Sequence, residues 1–272
     1  MADRESPLPL AVQLYTFRDP ARFGGSGMGL DEATLQAIAD AGFLGVETVD
    51  VPGGDPAVAR RVLGDLDLAV TSSHTWERWT DPDAFRRAVD ALAELGSPRV
   101  IVSPPAEELV TSLPALIDHL VAASEIASGS GLRLGIHNHD AEMVVTDGQR
   151  AIDRLVAPLG DTVDVQVDIF WAVVGGADPA DVIRDLGPRV VSLHLKDGEA
   201  LPSSDASEEP FVNVAVGSGR VDPAPAVQAA TASGSVEWLI VEFDHVAGSA
   251  IDASRASLET LVARGLGRAR AT

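Results

Sequence analysis

The stretch VDVQVDIFWAVVGGADPADVIRDLGPRVVSLHLKDGE, Val163 to Glu199, decides the fold. It reads strand, loop, helix, strand. Val163 to Val167 is apolar and β-branched apart from Asp164 and Gln166, and it ends on Asp168. Asp178-Pro179 offers an N-cap carboxylate followed by proline at the first helical position, a pairing that opens helices. Gly187-Pro188 closes the helix. Val190 to Leu195 is a second apolar run, and it delivers His194, then Lys196 and Asp197. Such a βαβ unit places Asp168 and His194 at the carboxyl ends of consecutive parallel strands, the end at which these sheets bind ligands.

The same alternation runs outward in both directions. Leu8 to Thr16, Leu44 to Thr48, Leu68 to Ser72, Arg99 to Ser103 and Leu132 to His137 read as strands one to five, and Val236 to Val241 as the eighth. Helices are expected at Asp31 to Ala41, from Asp55-Pro56, and from Asp81-Pro82 to near Gly96. Others are expected at Ser112 to Ser128, at Asp147 to Val156, from Asp222-Pro223, and at Ile251 to Ala263. Eight strands alternating with about eight helices predict a single (β/α)8 barrel over residues 1–272, not an open doubly wound sheet. A short tail, 1–7, precedes it. The glycine-rich loop at Arg22 to Gly29 lacks the spacing of a dinucleotide fingerprint. A long polar loop, 198–222, follows strand seven without periodicity, which is usual for a functional or mobile loop.

Composition removes several classes of function. A net charge of −21 opposes nucleic acid as a partner, since phosphate binding needs clustered Lys and Arg. The acidity reads instead as a solvated outer surface. With no cysteine there are no disulfides and no thiolate metal sites, which suits a reducing cytosol and gives a cytoplasmic location as the expectation. MADRESPLPL has neither a basic n-region nor an apolar h-region, so no secretory signal is expected. No uncharged apolar run approaches the length of a membrane span.

A barrel sends the side chains at its strand carboxyl ends to one mouth. Here these are Gln13 and Tyr15, Glu47, His74, His137 and His139, Asp168, His194 and Lys196, and Glu242 and Asp244. Imidazole and carboxylate without thiolate suit a divalent ion such as Zn, Mn, Co or Mg. Alone, Asp168 reads as a helix N-cap and His194 as a core imidazole bonded to backbone. With Glu242 at the equivalent place on strand eight, the three read as metal ligands.

The same residues carry a family resemblance that runs nearly end to end. AVQLYTFRD at Ala11, GVETVD at Gly45, GIHNHDAEM at Gly135, VDIFWAVVGGADP at Val167, VSLHLKD at Val191, VGSGRVD at Val216 and VEFD at Val241 resemble the xylose isomerase-like TIM-barrel superfamily, the sugar phosphate isomerase/epimerase group. The resemblance implies a metal held by Glu, Asp, His and Glu from strands five to eight. Asp168, His194 and Glu242 match three of these. At strand five this chain has Gly135 in place of Glu, with His137 two residues nearer the mouth. Residues two apart share a strand face, so His137 can reach the same ion. His139 lies on that face again, and serves instead or binds substrate.

The expected activity is a metal-dependent sugar isomerase or epimerase acting on a ketose, keto-sugar or polyol derivative through an enediolate. Glu242 is the expected base, His139 its partner acid/base and Lys196 an electrostatic aid, with the metal on His137, Asp168, His194 and Glu242. Gln13, Tyr15, Glu47, His74 and Trp171 are expected to line the substrate pocket. The runner-up is a lyase or dehydratase that eliminates water or an aglycone from an inosose or 3-keto-glycoside. A non-catalytic sugar-binding partner subunit is a third reading. The DNA-repair endonuclease branch of the superfamily needs more metal ligands and a basic groove, which the charge opposes. By analogy with relatives, a homodimer through barrel helices is the expected assembly.

Overall fold

A computed structural model describes residues 6–18, 31–76, 79–201 and 212–271. The glycine-rich loop 22–29, most of the tail 1–7 and residues 202–211 of the long loop lie outside the described residues. The strands are β1 (Leu10–Gln13), β2 (Gly45–Val49), β3 (Ala69–His74), β4 (Arg99–Val102), β5 (Arg133–His137), β6 (Val145–Thr146), β7 (Gln149–Arg150), β8 (Val163–Asp168), β9 (Val190–Leu195) and β10 (Trp238–Val241). Eight of them close in the order β1-β10-β9-β8-β5-β4-β3-β2, all parallel, so the expected (β/α)8 barrel is what forms.

The helices are α1 (Glu32–Ala41), α2 (Pro56–Asp65), α3 (Pro82–Leu95), α4 (Ala106–Thr111), α5 (Leu113–Gly129), α6 (Ala151–Val156), α7 (Ile169–Val174), α8 (Pro179–Leu186), α9 (Ala224–Ser233) and α10 (Ala250–Ala263). A local device starts many of them. Asp55, Asp81 and Asp178 each accept a first-turn N–H, and each is followed by proline at the first helical position. Each cap stabilises its helix by about 1 kcal/mol. The helices bury apolar stripes such as Phe85, Val89, Leu92 and Leu95 of α3 against the sheet.

Three expectations need correction. Asp147 does not open a helix. Asp147 and Gly148 both take positive φ (53° and 79°) and form the tip of the antiparallel β6–β7 hairpin, as a two-residue turn of this chemistry does. The helix begins only at Ala151. Ile169–Val174, read as loop, is helical, with Asp168 as its N-cap. Strand one stops at Gln13, whose side chain accepts from Tyr15 N–H and turns Leu14–Phe17 into a 3-10 helix.

The amino end of the barrel is closed by charge. Asp164 accepts from Arg99 Nε (2.8 Å) and from Arg133 Nε (2.9 Å) and a terminal guanidinium nitrogen of Arg133 (2.6 Å), while Arg99 also grips Glu237. These residues tie β4, β5 and β8 to the segment entering β10. Asp164 is nearly buried, and Asp164→Ala leaves Arg133 without its carboxylate and Arg99 with Glu237 alone. The expected loss is about 3 kcal/mol of folding free energy by urea unfolding, with divalent-ion affinity unchanged because the cluster sits at the far end of the barrel. An unaltered unfolding midpoint would contradict this.

Candidate active site

Asp168 closes β8 and faces His194 of β9 across the sheet register. Its two oxygens divide the work. Oδ1 accepts from Trp171 N–H at 3.0 Å and caps α7. Oδ2 is buried with no hydrogen-bond partner, 3.3 Å from Lys196 Nζ and 4.0 Å from His137 Nε2. Asn138 fixes the backbone beneath, accepting from Asp168 N–H at 3.0 Å. One side chain therefore supplies both the helix cap and a buried acceptor oxygen without a hydrogen-bond partner.

His137, Asp168, His194 and Glu242 each offer a ligand atom, all within 4.8 Å of one another, and all four side chains are buried. Gly135 carries no ligand: a Cβ there would stand 2.5 Å from Ile101 Cδ1. His137 rather than His139 is the strand-five residue in the cluster. Two imidazoles, two carboxylates and an acceptor oxygen that no protein hydrogen bond uses fit a divalent ion of the Zn, Mn or Co type.

Electrostatics follows from burial against partners. Burial disfavours the His194 cation, but Glu242 (2.8 Å from Nδ1) and Glu47 (2.5 Å from Nε2) outweigh it and raise the imidazole to about 10. Burial pushes Glu242 up, yet Lys196 at 2.9 Å and His194 more than offset this and hold it well below the ordinary carboxylate value. Burial opposes the Lys196 ammonium, and Asp168, Asp244 and Glu242 together push it well above its ordinary value. Burial, then Lys196, lowers His139, whose ring lies 5.0 Å from that of His137 and 5.7 Å from Trp171.

The other expected residues fall into two groups. Tyr15 and Trp171 are partly exposed: the Arg18 guanidinium covers the Tyr15 ring at 3.8 Å, and Lys196 Nζ lies 5.7 Å from the Trp171 ring. Gln13, Glu47 and His74 face the barrel interior. Gln13 Nε2 donates to Glu47 at 2.6 Å, and His74 Nε2 donates to Gln166 Oε1 at 2.9 Å. Gln166 itself is the main residue that sequence reading passes over. Buried at mid-barrel, it bonds Glu47, Ser192, His74 and His137. Asp197 is a second. Its carboxylate accepts from the backbone N–H groups of Gly198, Gly217, Gly219 and Val221 and ties both ends of the long loop to β9. A Cβ on Gly219 would collide with that carboxylate, which explains the glycine in VGSGR.

Glu142 sits below His139 and accepts its backbone N–H at 2.8 Å, while Oε1 is buried without a partner. Burial raises its carboxyl from 4.5 to about 7. The native state then binds a proton that the unfolded chain releases, so stability present at acid pH is lost as pH rises from 4.5 through about 7. At 1.36 kcal/mol per pKa unit the loss is about 3 kcal/mol. Glu142→Gln is expected to unfold at higher urea than wild type at about pH 8 and at the same urea near pH 4. Identical midpoints at both pH values would contradict the assignment.

The chain is thus an eight-stranded parallel barrel with a His/Asp/Glu cluster at its carboxyl mouth. The chain matches the xylose isomerase-like TIM barrel family over residues 35–264 and belongs to it. It is similar to the inosose dehydratase of Geobacillus kaustophilus (strain HTA426), 24% identical over 191 residues; the match spans 61% of this chain and 61% of that relative. Among solved structures, it resembles a sugar phosphate isomerase/epimerase from Parabacteroides distasonis ATCC 8503, with TM-score 0.73, 18% identity and 98% of each chain covered. It also resembles an L-ribulose 3-epimerase, with TM-score 0.71, 16% identity and coverage of 95% of this chain and 94% of that one. These structural likenesses establish the shared fold. Among the described residues, no helix is long and apolar enough to cross a membrane.

Proposed function

We propose that this protein is a divalent-metal-dependent sugar isomerase or epimerase acting on a ketose, keto-sugar or polyol derivative. The observation that supports it most is the convergence of His137, Asp168, His194 and Glu242 at the mouth of a barrel of this family. Those four residues would hold the ion, which would supply Lewis acidity toward the substrate carbonyl and the charge that develops on proton removal. Glu242, kept ionised by Lys196 and His194, takes the proton from carbon. His139, kept neutral by burial, accepts a proton on the Trp171 side and, once protonated, can return it. Lys196 keeps its charge and donates to a substrate oxygen. Tyr15 and the Trp171 indole line the substrate side. Gln13, Glu47 and His74 form the floor beneath it. Small-molecule carbohydrate, and not nucleic acid, is the partner that a charge of −21 favours.

One observation favours a second reading. His137 enters the cluster where paired-carboxylate epimerases carry Glu, so Glu242 is its single candidate carboxylate base besides the capping Asp168. A single base, with the Lys196 ammonium as proton donor to the departing oxygen, suits elimination of water or an aglycone from an inosose or 3-keto-glycoside. Incubation with ketoses, inososes and 3-keto-glucosides in heavy water, with Mn²⁺ present, separates the two. An isomerase or epimerase returns product of unchanged composition carrying solvent deuterium. A lyase releases water or aglycone. Absence of both, with no ion uptake, would leave a non-catalytic sugar-binding protein.

A further inference from the structure

The geometry points to Glu47 as the positioning residue for both imidazoles of the metal cluster, an inference that rests on the functional reading above. Glu47 is 0% exposed, an uncommon place for a carboxylate, and four donors converge on it. Oε1 accepts from Ser72 Oγ at 2.5 Å and from Gln166 Nε2 at 2.7 Å. Oε2 accepts from Gln13 Nε2 at 2.6 Å and from His194 Nε2 at 2.5 Å. An ionised carboxylate has acceptor capacity for four donors and offers no hydrogen of its own; an amide of the same shape has one acceptor oxygen and two N–H groups.

Two orientations follow from this one anion. His194 spends Nε2–H on Glu47, so Nδ1 is the nitrogen turned to Glu242, 2.8 Å away, and to the rest of the cluster. Gln166 spends its amide nitrogen on Glu47, so its carbonyl oxygen faces His137 Nδ1 at 3.0 Å. That leaves His137 Nε2 directed at Asp168 Oδ2. Imidazole ligands are fixed in tautomer and ring orientation by the bond their other nitrogen makes, and such outer partners affect ion affinity strongly. Glu47 sits on β2 and Gln13 on β1, so the first half of the barrel orients ligands that the second half supplies.

The test is the dissociation constant for Mn²⁺ and Zn²⁺, by calorimetry on the full chain, for wild type, Glu47→Gln and Ser72→Ala, with thermal unfolding in parallel. Glu47→Gln is expected to weaken both ions by about 10–100-fold. Ser72→Ala removes a bond to the same carboxylate without touching either imidazole, and is expected to bind as wild type does. Wild-type affinity in Glu47→Gln, or an equal loss in both variants, overturns the inference. Should Glu47→Gln fail to fold, Gln166→Met removes the link from Glu47 to His137, together with its bonds to Ser192 and His74, while the His194–Glu47 bond stays; it is expected to lose affinity, and no loss overturns the inference. Wild type that takes up neither ion overturns the functional reading instead. The His194–Glu47 bond is then read from a downfield imidazole N–H proton resonance, expected in wild type and lost in Glu47→Gln; its persistence in the variant overturns the inference.

Discussion

Asp168→Asn is expected to weaken ion binding and cut activity by orders of magnitude while leaving the barrel folded. The reason lies in the division of labour between its oxygens. Asn caps helices about as well as Asp, so the bond to Trp171 N–H and the start of α7 survive. What disappears is the charge on Oδ2, the buried oxygen with no hydrogen-bond partner. The variant carries an amide N–H there, facing Lys196 and His137. Losing a direct ligand should weaken the ion by more than the roughly 100-fold seen for outer partners. A bound ion supplies several kcal/mol of transition-state stabilisation, so kcat/KM should fall roughly 10³-fold. Metal content, far-UV circular dichroism and turnover on whichever sugar is accepted check this together. A folded variant with wild-type ion content would show that Asp168 is a cap and nothing more.

Lys196→Met is expected to produce the largest loss of stability. Lys196 is the single lysine in the chain; the other nineteen basic residues are arginine. Where a surface cation suffices, this sequence uses a guanidinium. At position 196, which is 1% exposed, it uses a compact ammonium with three donors, 2.6 Å from Asp244, 2.9 Å from Glu242 and 3.3 Å from Asp168. Methionine fills similar space but leaves those carboxylates without their cation. Removing one partner of a buried ion cluster costs about 3–5 kcal/mol. A divalent ion replaces part of the missing charge, so added Mn²⁺ should raise the Tm of the variant more than that of wild type, by linkage. Calorimetric unfolding with and without the ion measures both effects. A variant as stable as wild type would remove Lys196 from the electrostatic core of the site.

The fold was legible because its punctuation is local. Asp-Pro pairs mark α2, α3 and α8, and β-branched runs mark the strands between them. Asp168, His194 and Glu242 were legible for a related reason: each ends a strand, and parallel barrels collect strand ends at one mouth. Gln166 was not. Within the strand it looks like an isolated polar exception, and its bond to Glu47 spans 119 residues of chain. Helix α7 was missed because IFWAVV is apolar throughout and shows neither a 3.6 nor a 2 period. The choice between His137 and His139 needed coordinates, since both lie on one strand face and only the end of β5 at His137 separates them.

Anomalous diffraction from crystals grown with Zn²⁺ tests the metal centre most directly. One ion bonded to His137 Nε2, Asp168, His194 Nδ1 and Glu242 at about 2.0–2.2 Å is the predicted result. Density for zinc only elsewhere on the protein, or none at all with these four side chains still hydrogen-bonded among themselves, would contradict it.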